Sequence, residues 1–356
     1  MARARYFLCW PCLRQLSAAV LLSGLVCLQP LAQPAADSAS TVSRIEQPSA
    51  EDWLQKMARS SRQLNYRGTL VYSRGRQMES LQFSHVLDRE GVQHEHLRSL
   101  SGRPREIVRR GDMVFRLRAD GSAVRLPRDH STAPFGRDYV ERLVERLRAA
   151  APHYHAHIAG HTRVAGRPVM LLQLQPRDQH RYALRLALDK KSGLLLQSIT
   201  TDRAGLVLER LEYTEVAIGI DGDALMATVP SPSTISLFAK PLAGLPSDDR
   251  RLHRWHLAWV PPGFSLAPPA EESAGKPSRA LYSDGLATFS VFVSGVNSAA
   301  VSGKSQRELS LAQGATIAYH RQRKDDSGRY SVTVVGEIPT STAERIAAAV
   351  VRSAAR

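Results

Sequence analysis

Residues 65–112 read NYRGTLVYSRGRQMESLQFSHVLDREGVQHEHLRSLSGRPREIVRRGD. Apolar and polar side chains alternate, and turns at Arg74-Gly75, Glu90-Gly91, Ser101-Gly102-Arg103-Pro104 and Gly111-Asp112 cut the pattern into hairpin lengths. The spacing predicts strands over 66–74, 78–88, 92–100 and 105–110. Leu70 and Tyr72 share one face with Val71 on the other; Leu81, Phe83, His85 and Leu87 share a face further on. An antiparallel sheet with one apolar side needs a cover: its own helices, a lipid or another chain.

The same pattern runs on through 113–118 and 123–127 and resumes at 154–163, 167–176, 181–189, 194–203 and 206–218. Two helices punctuate it. One starts at Ser49, where Ser49-Ala50-Glu51-Asp52 has the form of a capping box, and buries Trp53, Leu54, Met57, Ala58 and Leu64. The other spans 137–149 and presents Tyr139, Val140, Leu143, Val144 and Leu147. The expected class is α+β: a large N-terminal curved antiparallel sheet or partly open β-barrel, over 49–228, with covering helices. Val229 to Asp249 carries four prolines without a period and reads as a linker. A smaller unit, 250–356, then combines strands at 279–283, 286–294, 315–323 and 329–336 with a helix at 341–353 that presents Ile346, Ala347, Val350 and Val351.

Residues 1–36 read as a secretion signal: Arg3, Arg5 and Arg14, then an apolar core from Leu16 to Leu28, then small residues at Ala32, Ala35 and Ala36. A flexible lead-in follows over 37–48. Cys9, Cys12 and Cys27 all lie in the leader, so the exported chain has no disulfide, thiol nucleophile or cysteine-based zinc site. No later apolar run reaches membrane-spanning length, which places the product in a bacterial periplasm. Formal charge is +15 for the whole chain, and the leader carries three of the arginines. Arginines cluster at Arg103, Arg105, Arg109, Arg110, Arg116, Arg118, Arg125 and Arg128, and again at Arg250, Arg251 and Arg254. In that compartment nucleic acid is excluded, and acidic peptide or anionic lipid phosphate is the fitting counterpart of guanidinium, unless the surface is simply solvated.

No catalytic signature is present: no G-x-S-x-G, phosphate loop, dinucleotide fingerprint or H-E-x-x-H. His153, His155 and His157 at alternate positions, with His161 close by, have the spacing of metal ligands on a strand or of polar decoration on an edge. His94 and His96 repeat that spacing on a smaller scale. Asp178, Asp189, Asp202 and Glu209 fall near strand ends, where glycosidase acids or turn residues belong. Trp259-Val-Pro-Pro-Gly-Phe264 holds two large aromatics on a rigid turn, a docking face for the other domain or for a partner.

Eight segments carry a family resemblance: NYRGTLVY (65–72), MESLQFSHV (78–86), EHLRSLSGRPREIVRRGD (95–112), RVAGRPV (163–169), PRDQHRYALRLALDKKSGLLLQS (176–198), WVPPGF (259–264), YSDGLATFSVFV (282–293) and YSVTVVGEIPTSTAERIA (330–347). Through them the chain resembles the MucB/RseB family of periplasmic regulators of envelope-stress sigma factors. The resemblance implies a non-enzymatic protein without cofactor. It implies a large domain similar to the LolA/LolB lipoprotein carriers, and binding to the periplasmic domain of a transmembrane anti-sigma factor of the RseA/MucA type. It further implies that binding shields the anti-sigma factor from proteolysis, with release on a lipid or lipopolysaccharide-type ligand. On that basis the lipid cavity is expected at Tyr66, Leu70, Phe83, Ile107, Phe115, Leu143 and Leu147, and the peptide at Arg103, Arg105, Arg109 and Trp259. Coupling between domains is expected to run through 229–249. The competing readings are a lipid or lipoprotein carrier without a sigma-factor role, and a metal-dependent hydrolase built on His153, His155 and His157.

Overall fold

The computed structural model describes residues 48–126, 136–230, 234–236, 255–267, 279–295, 308–326 and 328–352. The leader, its cysteines, most of the lead-in and of the linker, Arg128, Arg250, Arg251 and Arg254 lie outside the described residues. No described helix is long and apolar enough to cross a membrane.

The chain opens with α1 (Ala50–Gln63), capped as its sequence demands: Ser49 Oγ accepts from Asp52 N at 3.2 Å and Asp52 returns the bond to Ser49 N at 2.8 Å. Six strands follow, β1 (Tyr66–Arg74), β2 (Gln77–Leu87), β3 (Gln93–Ser99), β4 (Glu106–Arg110), β5 (Met113–Leu117) and β6 (Ser122–Leu126). After α2 (Arg137–Ala150) come β7 (Tyr154–Val164), β8 (Arg167–Pro176), β9 (Ala183–Asp189), β10 (Leu195–Thr201) and β11 (Val207–Ile218), then a short α3 (Gly222–Met226). These form one sheet in the order β6-β5-β4-β3-β2-β1-β11-β10-β9-β8-β7, antiparallel throughout. A three-residue β12 (Thr234–Ser236) adds in parallel beside β6. The β1–β11 pair therefore joins the two halves of the sheet, and register shifts at Thr69/Leu70, Ile158/Gly160, Leu195/Gln197 and Thr200/Thr201 bend it.

Two cores hold this unit. Trp53, Leu54 and Met57 of α1 and Val140, Leu143, Val144 and Leu147 of α2 pack onto Leu172, Leu174, Leu184, Leu186 and Leu188. Tyr66, Leu70, Leu81, Phe83 and Leu97 pack with Leu211 and Tyr213 in the second. The sheet's apolar side is thus covered in part by the chain's own helices.

The smaller unit contains β13 (Trp255–Leu257), β14 (Ser265–Leu266), β15 (Arg279–Ser283), β16 (Thr288–Gly295), β17 (Glu308–Gln313), β18 (Thr316–Asp325), β19 (Gly328–Gly336), α4 (Thr340–Ala348) and β20 (Val350–Arg352). Six of the strands make an antiparallel sheet, β14-β15-β16-β19-β18-β17, on which Ala343, Ile346 and Ala347 of α4 pack. The last helix differs from expectation. It stops at Ala348, and Val350 and Val351 form a strand antiparallel to Trp255–Leu257. Two adjacent β-branched residues favour extended backbone, and the partner strand completes the ladder. Val350 still buries, as the helical reading required, but from a strand. β17 had no sequence signal because every one of its residues is exposed and no apolar face is written into it.

Leu186 of β9 is fully buried in the core that the sheet shares with α1 and α2. Leu186→Ala is expected to cost about 2–5 kcal/mol in urea unfolding, with an unchanged denaturant slope.

Candidate functional site: the seam between the two sheets

The loop after β8 carries Arg181, whose side chain has no exposed surface. A buried guanidinium needs partners for its donors. Its Nε reaches Asp284 Oδ2 at 2.5 Å, Nη1 bonds Asp178, and Nη2 donates to the Pro262 carbonyl at 2.6 Å. The guanidinium carbon lies 4.8 Å from the centre of the Phe264 ring. Asp284, also without exposed side-chain surface, accepts in addition from the backbone N–H groups of Leu286 and Ala287 at 2.9 and 2.7 Å. One arginine of the large unit is therefore bonded to two separate loops of the small one. Nearby, Tyr182 OH donates to the Ile338 carbonyl at 2.9 Å and His180 Nδ1 lies 3.0 Å from Thr342 Oγ1.

A second bridge lies across the seam. Glu209 Oε1 on β11 takes Arg74 Nε and the backbone N–H of Ala315, each at 3.2 Å. Gly314 has φ +61, and a Cβ there would lie 2.4 Å from Arg74 Cγ and 2.7 Å from Glu209 Oε1. Only glycine lets the small unit's turn come this close.

Between α2, the large sheet and the small unit lies a cavity of about 240 Å³. Tyr72, Tyr139, Tyr154 and Tyr182 line it with Leu143, Leu184, Leu211 and Leu286. Arg142, Arg146 and Arg210 contribute the cations, Glu209 and Glu337 the carboxylates. Burial raises all four tyrosine pKa values, that of Tyr182 to about 12, so each phenol remains a proton donor. Glu337 is an exposed side chain on the cavity wall. Desolvation by the protein around it, reinforced by Glu209 and opposed by Arg146 and Arg74, raises its pKa. The arrangement offers an apolar, aromatic enclosure with arginines at hand, suited to an amphiphile carrying an anionic group.

The residues singled out from sequence do not form one site. Tyr66, Leu70, Phe83 and Ile107 share a sheet face through the pairs Leu70↔Leu81, Phe83↔Leu97 and Leu97↔Ile107. Tyr66, Leu70 and Phe83 are close-packed core there, with Ile107 partly buried against them. Phe115 pairs with Val108, the neighbour of Ile107, and so points to the opposite face; it cannot share a cavity wall with Ile107. Leu143 and Leu147 belong to the other core, and of the seven only Leu143 borders the cavity.

Among the peptide candidates, Arg109 must be reassigned. It is 5% exposed, paired with Glu95 at 3.2 Å and with Asp138, and ties β4 to the start of α2. Arg105 pairs with Glu79 and is half-buried, whereas Arg103 is exposed. Trp259 is half-buried at the seam, edge-on to His180 at 5.2 Å with the Arg345 guanidinium 3.8 Å above it. The Pro-Pro-Gly loop thus docks onto the other unit. The glycosidase reading fails on geometry: Asp178 serves Arg181, Asp189 holds Arg167 bidentately, Asp202 accepts from the Leu206 N–H, and Glu209 bridges the seam. His94 and His96 are bonded to Asp88 and Glu106, and no group of three or more His, Cys, Asp or Glu placed to hold a metal ion occurs among the described residues.

Sequence reasoning missed Arg181, Asp284 and Glu337. A single arginine at the first position of the strand expected over 181–189 looks solvated, and Asp284-Gly285 looks like an ordinary turn. Their one signal was position, since each falls inside a segment that carries the family resemblance.

Residues 49–232 match the MucB/RseB N-terminal domain and residues 249–351 the MucB/RseB C-terminal domain. The sigma factor AlgU regulatory protein MucB of Pseudomonas aeruginosa is 33% identical over 304 residues, 84% of this chain and 89% of that protein. The sigma-E factor regulatory protein RseB of Escherichia coli K12 is 28% identical, over 84% of this chain and 90% of its own length. The P. aeruginosa MucA/MucB complex contains a chain that superposes with TM-score 0.62 at 28% identity, covering 86% of this chain and 99% of that one. MucB in complex with MucA(peri) gives TM-score 0.59 at 29% identity, covering 86% and 100%.

Two outcomes test the seam. Asp284→Asn removes the fully buried one of the two carboxylates that serve Arg181, leaving Asp178 alone, and is expected to cost about 3 kcal/mol in urea unfolding. For Glu337, a folded-state pKa above the ordinary 4.5 means the folded chain holds the proton more tightly. That stability is complete below pH 4.5 and is lost as pH rises through the raised value. Glu337→Gln is therefore expected to raise the melting temperature at pH 8 and to converge with the parent below pH 4.5; an equal offset at both would refute the assignment.

Proposed function

The chain belongs to the MucB/RseB family, and we propose that it binds the periplasmic domain of a transmembrane anti-sigma factor in the periplasm. Binding shields that domain from the protease that starts its degradation, so the sigma factor stays sequestered. An amphiphilic ligand of lipid type, seated in the seam cavity, releases it. The function is non-enzymatic.

The observation that carries this reading is the match of both domains, nearly end to end, to a protein whose complex with the periplasmic MucA has been solved. The seam cavity supports the ligand part. Its tyrosines and leucines can take acyl surface, and Arg142 and Arg146 on α2 can take an anionic head group. Because the walls come from both units, a ligand there has different contacts when the seam is tight and when it is loose. That difference is what a release mechanism requires. Linkage then demands reciprocity: bound anti-sigma domain weakens the ligand by the factor that ligand weakens the anti-sigma domain. Exposed Arg103, with Arg105 beside it, remains the surface offered to acidic segments of the partner. The cavity alone would equally serve a lipid or lipoprotein carrier, the second reading.

Calorimetric titration with the cognate anti-sigma periplasmic domain separates them. Saturation near one-to-one is expected, and Arg103→Glu with Arg105→Glu should weaken binding severalfold and flatten its salt dependence. Folded protein that fails to bind would leave the carrier reading.

A further inference from the structure

The fold sorts the members of the histidine run at 153–161. His153 ends a 3-10 turn before the strand and packs on Gly263, where an added Cβ would lie 1.9 Å from its Nε2. His157 pairs with Gln173 and His161 with Met170. The bulge between them uses four residues of β7 against three of β8, so His161 faces the opposite side.

His155 and His157 remain, exposed on one face of the terminal strand, with rings 5.3 Å apart and 24° from parallel. Directly across the ladder stand Gln175 and Gln173, and cross-strand neighbours share a face. None of these four side chains has a hydrogen-bond partner within the protein among the described residues. By contrast His85, His94, His96, His180 and His320 are each bonded through a ring nitrogen to a protein oxygen. Two imidazoles and two carboxamides, all without a protein hydrogen-bond partner among the described residues and all on a two-stranded ladder, form a pre-set donor group.

We propose that His155 and His157 chelate a divalent first-row cation, Cu²⁺ in preference to Ni²⁺ or Zn²⁺, with Gln173, Gln175 and water completing the shell. Imidazole suits all three ions, and copper heads the affinity order for such donors. The strand scaffold holds the two rings together before the ion arrives, which reduces the ordering cost. With no carboxylate in the group, and with Arg185 paired to Gln173 on the next strand, the site carries no charge to neutralise the ion. This makes it an exchangeable surface site.

The test is calorimetric titration of the exported, tag-free chain with CuCl₂, with electron paramagnetic resonance of the one-equivalent complex. One saturable site with nitrogen coupling is expected. His155→Ala and His157→Ala should each weaken it at least tenfold with unchanged circular dichroism, while His161→Ala stays within twofold of the parent. Equal copper uptake by the His155→Ala/His157→Ala double variant would overturn the proposal, as would an equal loss in His161→Ala.

Discussion

An arginine with no access to water fixes this molecule's architecture. Burying a guanidinium is costly, and the cost is offset only where every strong donor finds an acceptor in good geometry. Arg181 finds Asp284, Asp178 and the Pro262 carbonyl, and rests against Phe264. Asp178 lies in the same loop, but Asp284 and Pro262 come from two separate loops of the small unit. The guanidinium plane therefore sets the position of both loops at once. Asp284 is itself anchored by two backbone N–H groups, so it cannot follow Arg181 without distorting its own turn. Such a pair adds little net stability over an apolar contact, but it admits one geometry.

The rest of the seam is built differently. At the far side Glu209, Arg74 and Gly314 meet in a close but partly solvated contact. Between the two bridges lies the cavity, whose wall carries both Glu337 and Glu209; desolvation and the Glu209 carboxylate disfavour the Glu337 charge. One bridge is dry and satisfied, whereas the other is wet and sits beside an electrostatic conflict. The Arg181 bridge is therefore the stronger constraint on the seam and the Glu209 bridge the weaker.

Alternation and turn chemistry made the large sheet readable in outline, because one face of each strand is buried and register follows from that. The same logic erred where burial was not periodic. β17 is wholly exposed and left no trace, and Val350 and Val351 satisfied a helical stripe while belonging to a strand. Site residues were harder, since side-chain partners come from distant sequence. Arg109 sat in a basic cluster and looked solvated; only the fold brings Glu95 and Asp138 to it. Ile107 and Phe115 are both apolar, both in strands and near in sequence, yet one ladder step puts them on opposite faces.

The histidines show the same limit in small compass. Spacing at i, i+2 and i+4 predicts a shared face only if the backbone is a strand over the whole span. Here the strand begins after His153, and a bulge reverses its sense before His161. What looked like one motif of four is one packing residue, one pair and one residue on the other side. Neither break has a strong signature: Pro152 marks the turn weakly, and Gly160 at φ +116 marks the bulge. The bulge also bends the terminal strand of the sheet, where β7 has a partner on one side only. An edge interrupted in this way is a poor template for uncontrolled strand pairing. The geometry that isolates His155 and His157 as a donor pair is therefore the geometry that keeps the free edge from recruiting another chain.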